Sequence, residues 1–195
     1  MGAMRKGVSP TEAVEALRDG EVALVPTETV VGLVAAESGL RRIHEIKGRD
    51  TDKPVALLCA SAEEAFALAA SVPPLAQRLA DLYWPGPLTL VLDGGGGGTI
   101  GVRVPAGSAV REVLAAYGGS LYATSANLSG EPAPKGLEQV DPRVSEAVDL
   151  TVEGESGSGE ASAVIDLSGG RVWLLRATED LSEDKLAQLA EVAKE

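Results

Sequence analysis

The sequence contains few of the residue types that metal sites and nucleophilic catalysis use most often. Among 195 residues there is one cysteine, Cys59, and one histidine, His44. A lone cysteine forms no intrachain disulfide and no thiolate zinc site. A lone histidine has no second histidine with which to complete a metal site, so a His-dependent hydrolase is nearly excluded. We interpret Cys59 as a core residue and His44 as a surface or packing residue.

Positive charge is also scarce. The chain carries 17 Lys and Arg against 29 Asp and Glu, which gives a net charge of −12. The summed field therefore repels polyanions, and we expect no strong general nucleic-acid binding. A local cationic pocket is still compatible with this charge, because phosphate sites depend on a few focused charges and backbone N–H groups.

Long apolar runs and known phosphate loops are missing as well. No stretch approaches the roughly 20 apolar residues that cross a bilayer, and residues 1–18 do not resemble a signal peptide. We therefore expect a soluble, cytoplasmic protein with no membrane partner. No G-x-x-x-x-G-K-[ST] motif occurs, so a nucleotide would have to bind in another way.

The remaining composition is that of a packed α/β domain. Hydrophobic residues make up 45% of the chain and aromatic residues 3%, so Val, Leu, Ile and Ala must form the core. We predict one domain over 1–195, with a core at 9–178. Helices are predicted at 9–20, 40–47, 61–70, 75–82, 108–117 and 181–194, and strands at 21–25, 55–59, 88–92, 100–104, 121–123, 148–152, 163–167 and 172–175.

Two glycine-rich connections decide the type of sheet. The segments 94–98 and 168–170 each join two predicted strands, and such hairpins imply a mixed sheet with flanking helices. A third polar segment, 153–160, is rich in Gly, Ser and Glu and precedes Ser162. It is compatible with a lid over a site, although a plain linker is the favoured interpretation.

Two short polar segments interrupt the apolar pattern. Lys47-Gly48-Arg49 ends a predicted helix, and Ala123 to Gly130 follows a predicted strand. Cations and small hydroxyl or amide groups in such places are suited to phosphate oxygens. Each segment also has a simpler explanation. The two cations are favourable at the end of a helix, and Ser125 to Asn127 forms a turn that satisfies its own backbone.

Two further cations lie in apolar strands. Arg103 is enclosed by Ile100-Gly101-Val102 and Val104, where an isolated charge is costly unless an anion meets it. Arg176 follows Trp173-Leu174-Leu175 in the same way. Up to four cations from separate elements therefore converge in an acidic protein, which favours ATP or another anionic ligand.

Six ordered motifs between Glu21 and Arg176 resemble those of the YrdC/TsaC threonylcarbamoyl-AMP synthases. They are Val25-Pro26-Thr27-Glu28-Thr29-Val30, Ile46-Lys47-Gly48-Arg49, Trp84-Pro85-Gly86-Pro87-Leu88-Thr89-Leu90, Val102-Arg103-Val104-Pro105, Ala123-Thr124-Ser125-Ala126-Asn127-Leu128-Ser129-Gly130 and Leu175-Arg176. The resemblance implies a YrdC-like α/β fold, a twisted mixed sheet around a positive cavity. It also implies a nucleotidyltransferase that condenses L-threonine, bicarbonate or CO2, and ATP into threonylcarbamoyl-AMP and pyrophosphate. Mg²⁺ would assist, and a separate transferase complex would use the product to modify tRNA.

The same resemblance implies roles for individual residues. Those matching the family's catalytic tetrad are Lys47, Arg49, Ser125 and Asn127. Those at its ATP-binding positions are Arg49, Lys53, Thr99, Ser125 and Arg176, and those at its threonine-binding positions are Thr27, Arg103 and Ser162. No protein side chain is assigned to a metal.

The chain departs from the family pattern at four positions. Val31 stands where tyrosine is usual, Leu58 where histidine is usual, Ala163 where threonine is usual and Thr178 where glycine is common. By position, Leu58 and Val31 concern the amino-acid side of the cavity, whereas the phosphate side is complete. Nucleotide use is therefore the firmer expectation, and the identity of the amino acid the weaker one.

Two other functions compete with the synthase. The first is a non-catalytic RNA-binding module, against which the acidic balance counts. The second is a relative that keeps the nucleotide pocket and acts on another amine or carbamoyl substrate, as carbamoyltransferase modules of this fold do. Those modules sit in longer chains, and larger synthases carry a further C-terminal domain, so this chain is expected to be a minimal form.

Overall fold

A computed structural model describes residues 4–51, 53–155 and 157–193. In these residues the chain forms ten strands and seven α-helices. The strands are β1 Arg5–Val8, β2 Val22–Pro26, β3 Val31–Ala35, β4 Ala56–Leu58, β5 Leu88–Asp93, β6 Thr99–Arg103, β7 Leu121–Ser125, β8 Leu150–Val152, β9 Ala163–Asp166 and β10 Trp173–Arg176. The helices are α1 Pro10–Arg18, α2 Leu40–Lys47, α3 Ala62–Ala67, α4 Pro74–Tyr83, α5 Ser108–Tyr117, α6 Pro142–Ser145 and α7 Glu183–Val192.

All ten strands belong to one sheet, in the order β1-β8-β2-β3-β7-β4-β6-β5-β9-β10. Neighbours are parallel in β1/β8, β2/β8, β4/β6 and β5/β9, and antiparallel in the other five pairs. The two predicted hairpins are β5/β6 and β9/β10. The mixed sheet predicted from the glycine-rich connections is therefore confirmed.

Two strands were not predicted from the sequence. β3 lies near the middle of the sheet, and all five of its residues are buried. A strand buried on both faces has apolar residues at every position. Its sequence therefore lacks the alternation of apolar and polar residues that predicts a strand. β1 lies at the edge, and its sequence Arg-Lys-Gly-Val is mostly exposed, so it gives no apolar signal either.

The predicted start of the first helix is confirmed in detail. The Ser9 side chain accepts a hydrogen bond from the backbone N–H of Glu12, and the Glu12 carboxylate accepts one from the Ser9 backbone. Pro10 occupies the first turn, where its missing N–H costs nothing. The closing helix, predicted at 181–194, is observed as α7, and residue 194 lies outside the described residues.

Helices cover the two halves of the sheet differently. Around β2 and β3, α1 and α5 pack on one face, and α2 and α6 pack on the other. At the β5/β6/β9 end, α3, α4 and α7 cover one face. Cys59 is fully buried there, as expected, while His44 is a buried packing residue of α2. The opposite face at this end carries the cavity described below.

The central position of β3 leads to a stability prediction. Leu33 is fully buried, whereas Leu82 on α4 is 57% exposed. L33A should lower the free energy of unfolding by about 2–5 kcal/mol, because it removes buried methyl groups and leaves a cavity. The matched variant L82A should change it by less than about 0.5 kcal/mol. Urea denaturation measures both, and equal losses in the two variants would show that β3 is not a central strand.

Candidate functional site

A cavity of about 390 Å³ opens on the uncovered face of the sheet. Strand alternation creates it: Leu88, Leu90 and Leu92 of β5 face the core, while Thr89 and Val91 face the cavity. β9 follows the same rule, with Ala163 and Ile165 in the core and alternate residues on the other side. One face of these strands is therefore not used in the hydrophobic core, and its side chains line the cavity.

Six of the ten predicted site residues line this cavity. They are Thr27, Thr99, Arg103, Ser125, Ser162 and Arg176. Asn127 and Lys47 do not line it but adjoin it through Ser125, and Arg49 lies near Lys47 without lining the cavity. Lys53 is exposed and is not among the lining residues. Of the family departures, Leu58 lines the cavity, whereas Val31 is buried in the core.

The buried amine of Lys47 supports the Ser125 to Asn127 segment. Its Nζ donates to the backbone carbonyl oxygens of Ser125, at 2.6 Å, and of Asn127, at 2.7 Å, and lies 3.4 Å from Asn127 Oδ1. The Ser125 hydroxyl in turn donates to Asn127 Oδ1. Lys47 thereby fixes the loop that presents the Ser125 hydroxyl to the cavity.

Arg49 lies close enough to Lys47 to affect its ionisation. Burial, together with the positive charge of Arg49, lowers the pKa of Lys47 to about 8. Burial also lowers the pKa of Arg49, whose Nε and Nη2 have no hydrogen-bond partner among the described residues. Two crowded cations, one of which has buried donors without partners, form a site that an anion would stabilise.

Arg103 is held by a carboxylate that the sequence analysis did not single out. Its Nη2 donates to Glu28 Oε1 at 2.5 Å and to Thr29 Oγ1 at 3.1 Å, and its Nε donates to the Gly86 carbonyl oxygen at 3.1 Å. Glu28 Oε2 also accepts the Gly107 N–H. Both charged side chains are largely buried, at 9% and 20% exposure. Glu28 thus positions Arg103, whose Nη1 has no hydrogen bond to the residues that the structure describes.

Arg176 and Arg103 are near neighbours at the cavity wall. Arg176 donates to the backbone oxygen of Ser162 at 2.6 Å and to its hydroxyl at 3.2 Å, and that hydroxyl lies 3.0 Å from Thr89 Oγ1. Burial and the charge of Arg103 both lower the pKa of Arg176. The cavity therefore holds two guanidinium groups that repel one another and attract an anion.

The turn between β2 and β3 forms the next wall. Thr27 Oγ1 donates to the Val30 carbonyl oxygen at 2.6 Å and accepts the N–H groups of Thr29 and Val30. Part of the predicted lid or linker, 157–159, lies beside this turn. Its three N–H groups donate to the carbonyl oxygens of residues 27, 28 and 29 at 2.9, 3.0 and 2.7 Å.

Gly157 is required for this contact, since a Cβ there would overlap the Glu28 carbonyl oxygen. The 157–159 part of the segment is therefore fastened to the wall of the site. Ser156, within the same predicted segment, lies outside the described residues.

The described residues contain no cluster of three or more His, Cys, Asp or Glu side chains able to hold a metal ion. In the same part of the chain, every helix is too short or too polar to span a bilayer.

Comparison with known proteins identifies the family. A family model described as "Telomere recombination", which represents Sua5, YciO and YrdC proteins, matches residues 15–178, well over half of the chain. The chain belongs to the Sua5/YciO/YrdC family. The resemblance seen in the six motifs is therefore confirmed.

Individual relatives agree with the family match. A threonylcarbamoyl-AMP synthase of Pyrococcus abyssi is 37% identical over 173 residues, covering 82% of this chain and 51% of its own length. One from Stenotrophomonas maltophilia is 32% identical over 182 residues, covering 86% of this chain and 98% of its own length. The chain thus spans about half of the archaeal relative and nearly all of the bacterial one.

A solved structure confirms the predicted fold. The crystal structure of P. abyssi Sua5 complexed with L-threonine matches with a TM-score of 0.85 at 31% identity. The match covers 96% of this chain and 61% of that protein. The twisted mixed sheet is therefore the fold that Sua5 proteins share.

The first prediction for the site concerns Glu28. E28Q should lower the free energy of unfolding by about 3 kcal/mol, because it leaves Arg103 charged and unpaired in a buried place. E45Q, in the exposed Arg41–Glu45 pair, should change it by less than about 0.5 kcal/mol. Urea denaturation at neutral pH measures both variants. A loss in E28Q no greater than that in E45Q would contradict the positioning role.

The same variant has a defined dependence on pH. Burial alone would raise the pKa of Glu28, but the Arg103 charge and the hydrogen bonds outweigh it, so the pKa lies below its usual value of 4.5. The stabilisation by Glu28 is then complete above that value and is lost as the pH falls through the lowered pKa. The difference between the wild type and E28Q should therefore shrink on acidification.

The second site prediction concerns the amine of Lys47. Since its pKa is about 8, the amine loses its positive charge as the pH rises through that value. Binding of inorganic sulfate, whose own charge is constant over this range, should weaken about tenfold from neutral pH to about pH 9.5. K47R, which stays charged over this range, should show a flat profile. Titration calorimetry gives both profiles, and a flat wild-type profile would place Lys47 outside the anion site.

Proposed function

We propose that the chain is a threonylcarbamoyl-AMP synthase, which condenses L-threonine, bicarbonate or CO2, and ATP into threonylcarbamoyl-AMP and pyrophosphate. The observation that carries the proposal is the cavity. Arg103, Arg176 and Ser125 line it, and Lys47 and Asn127 support it from behind. The curated names of relatives that match most of the chain support the same activity.

The amino acid would bind on the side of the cavity nearest Arg103. Its α-carboxylate would meet Nη1, because Nε and Nη2 are already engaged with Gly86, Glu28 and Thr29. A guanidinium held on three sides offers its remaining donors in a fixed direction. The amino group, after taking up CO2, is a carbamate whose oxygen can reach the α-phosphorus.

The reaction requires no histidine and no covalent enzyme intermediate. The carbamate oxygen forms a bond to the α-phosphorus, the bond from that phosphorus to the bridging oxygen breaks, and pyrophosphate leaves with the electron pair. The proton lost when the amine becomes a carbamate passes to solvent. Lys47, Arg49 and Arg176 would stabilise charge on the phosphates, while Ser125 and Asn127 orient them, so catalysis consists chiefly of positioning.

Mg²⁺ fits this site as a partner of the nucleotide. When bound, it would neutralise phosphate charge, taking most of its ligands from phosphate oxygens and water. Of the described side chains, the Ser125 hydroxyl and the Asn127 amide oxygen are oxygen donors at the phosphate end. The remaining roles, ATP contacts from Lys53 and Thr99 and threonine contacts from Thr27 and Ser162, are proposed on the family positions.

A product of this kind is a mixed anhydride of a carbamate and a phosphate, and it reacts readily with amines. We therefore propose that a separate transferase complex uses it to modify tRNA in the cytoplasm. The net charge of −12 argues against direct RNA binding as the main activity.

One observation favours a second candidate, a relative that uses another amino acid. Leu58 lines the cavity and pairs with Arg103 across β4 and β6, so their side chains share a face. An apolar neighbour beside the carboxylate-binding residue gives no hydrogen bond to a substrate hydroxyl. It favours an aliphatic amino acid such as valine as the competing substrate.

Turnover with labelled bicarbonate separates these functions. The protein is incubated with ATP and each amino acid in turn, and pyrophosphate release and the labelled adenylate are followed. Dependence on threonine is expected. Turnover with valine but not with threonine would support the second candidate, and tight RNA binding without any turnover would support an RNA-binding module.

Ser125 provides the variant that links turnover to the site. S125A should lower kcat/KM by about 10- to 100-fold, because it removes a hydroxyl that orients a charged phosphate. S145A, whose hydroxyl donates only to the Pro142 carbonyl oxygen of its own short helix α6, should stay within about twofold of the wild type. Unchanged turnover in S125A would place the phosphates elsewhere.

A further inference from the structure

The strand β10 carries two exposed apolar side chains at the end of the sheet. Trp173 and Leu175 are each 57% exposed, although they belong to the most apolar residue types. β10 is the last strand in the sheet order, and Leu175 also lines the cavity. Large exposed apolar side chains beside a cavity mark surfaces that a ligand covers.

The strand register places Trp173 on the cavity face. Trp173 pairs with Asp166 of β9, which lines the cavity, and residues paired directly across antiparallel strands share a face. The next pair, Leu174 with Ile165, belongs to the hydrophobic core on the other face. Trp173 therefore stands beside Asp166 at the outer rim of the cavity.

The Arg171 guanidinium lies against the indole ring and is itself held by polar contacts. The Arg171 guanidinium carbon lies 5.3 Å from the centroid of the Trp173 ring. Arg171 donates to the backbone oxygen and the hydroxyl of Ser168, both at 3.1 Å. Ser168 donates to Asp166 Oδ1 from its N–H at 2.9 Å and from its hydroxyl at 2.6 Å. A ring fixed in this way loses little freedom when a second ring stacks on it.

The two ends of the cavity differ in charge, and this gives a nucleotide a direction. Ser125 on β7, with Lys47 behind it, forms the end that attracts phosphate. Asp166 lies on β9, four strands away from β7 in the sheet order. Burial alone would raise its pKa, but the hydrogen bonds from Ser168 and the charge of Arg171 keep the pKa below its usual value, so it repels phosphate. The base of a bound nucleotide would then extend toward the outer rim.

We propose that Trp173, backed by Arg171, is the stacking platform for the adenine ring of ATP. This inference rests on the proposed function, because it takes ATP as the nucleotide. The platform would contribute affinity for the base and none for the phosphates, since stacking acts on ring surface and is indifferent to the charge at the far end.

The test compares two ligands that share the phosphate chain. ATP and inorganic tripolyphosphate are titrated into the wild type, W173A and W173F, and binding is measured by calorimetry. W173A should bind ATP about 5- to 100-fold more weakly than the wild type and tripolyphosphate equally well. W173F, which keeps an aromatic ring, should recover most of the loss. L82A removes an equally exposed side chain from α4 and should leave both affinities unchanged.

Fluorescence gives an independent readout. Trp84, whose ring nitrogen donates to the Leu88 carbonyl oxygen at 2.7 Å, is the second tryptophan and serves as the internal reference. ATP should quench the Trp173 emission, and tripolyphosphate should not. In W173A the remaining emission should not respond to ATP.

The outcomes separate this inference from the function on which it rests. Threonine-dependent turnover with unchanged ATP affinity in W173A would overturn the platform and leave the synthase intact. Equal weakening of ATP and tripolyphosphate in W173A would also overturn it, because the effect would not concern the base. Base-selective weakening without threonine-dependent turnover would support the platform and contradict the synthase. Failure of the wild type to bind ATP would overturn both.

Discussion

The site depends on the alternation of side chains along β5, β6 and β9. Alternate residues of these strands pack under α3, α4 and α7, and the residues between them face a cavity whose lining includes no residue of the described helices. Because the period is two, a shift of one residue would bury polar side chains such as Thr89 in the core and expose leucines such as Leu90. The packing that stabilises this half of the sheet therefore also fixes which side chains meet a ligand.

A protein with net charge −12 places several of its few cations in this region, and each is restrained differently. Arg103 forms an ion pair with Glu28 and keeps one nitrogen free of hydrogen bonds to the described residues. The Lys47 amine donates its hydrogen bonds to the carbonyl oxygens of the Ser125 to Asn127 loop. Arg49, in contrast, keeps buried donors without partners in the described part of the chain. Such donors carry a desolvation cost that an arriving anion relieves, so this part of the site favours a bound anion.

Local signals in the sequence predicted much of this arrangement. Ser9, Pro10 and Glu12 specified the first helix, and glycine-rich connections specified both hairpins. The six motifs predicted the family, and the family positions include six of the residues that line the cavity. What could not be predicted was contact over long separations in the chain. Nothing near Glu28 indicates that its carboxylate meets Arg103, 75 residues away, and β3 was missed because burial on both faces removes the alternation.

The low-complexity segment before Ser162 has a structural role that its composition does not predict. Its residues 157–159 run along the β2–β3 turn as an additional backbone ladder, and Gly157 permits the approach because it lacks a side chain. This ladder joins the turn that carries Thr27 to the segment that leads through Ser162 into β9, although the two are far apart in the chain. A ligand that contacts both walls would therefore also restrain the backbone hydrogen bonds between them. The glycines of this segment allow its backbone to lie close enough to the turn to form those bonds.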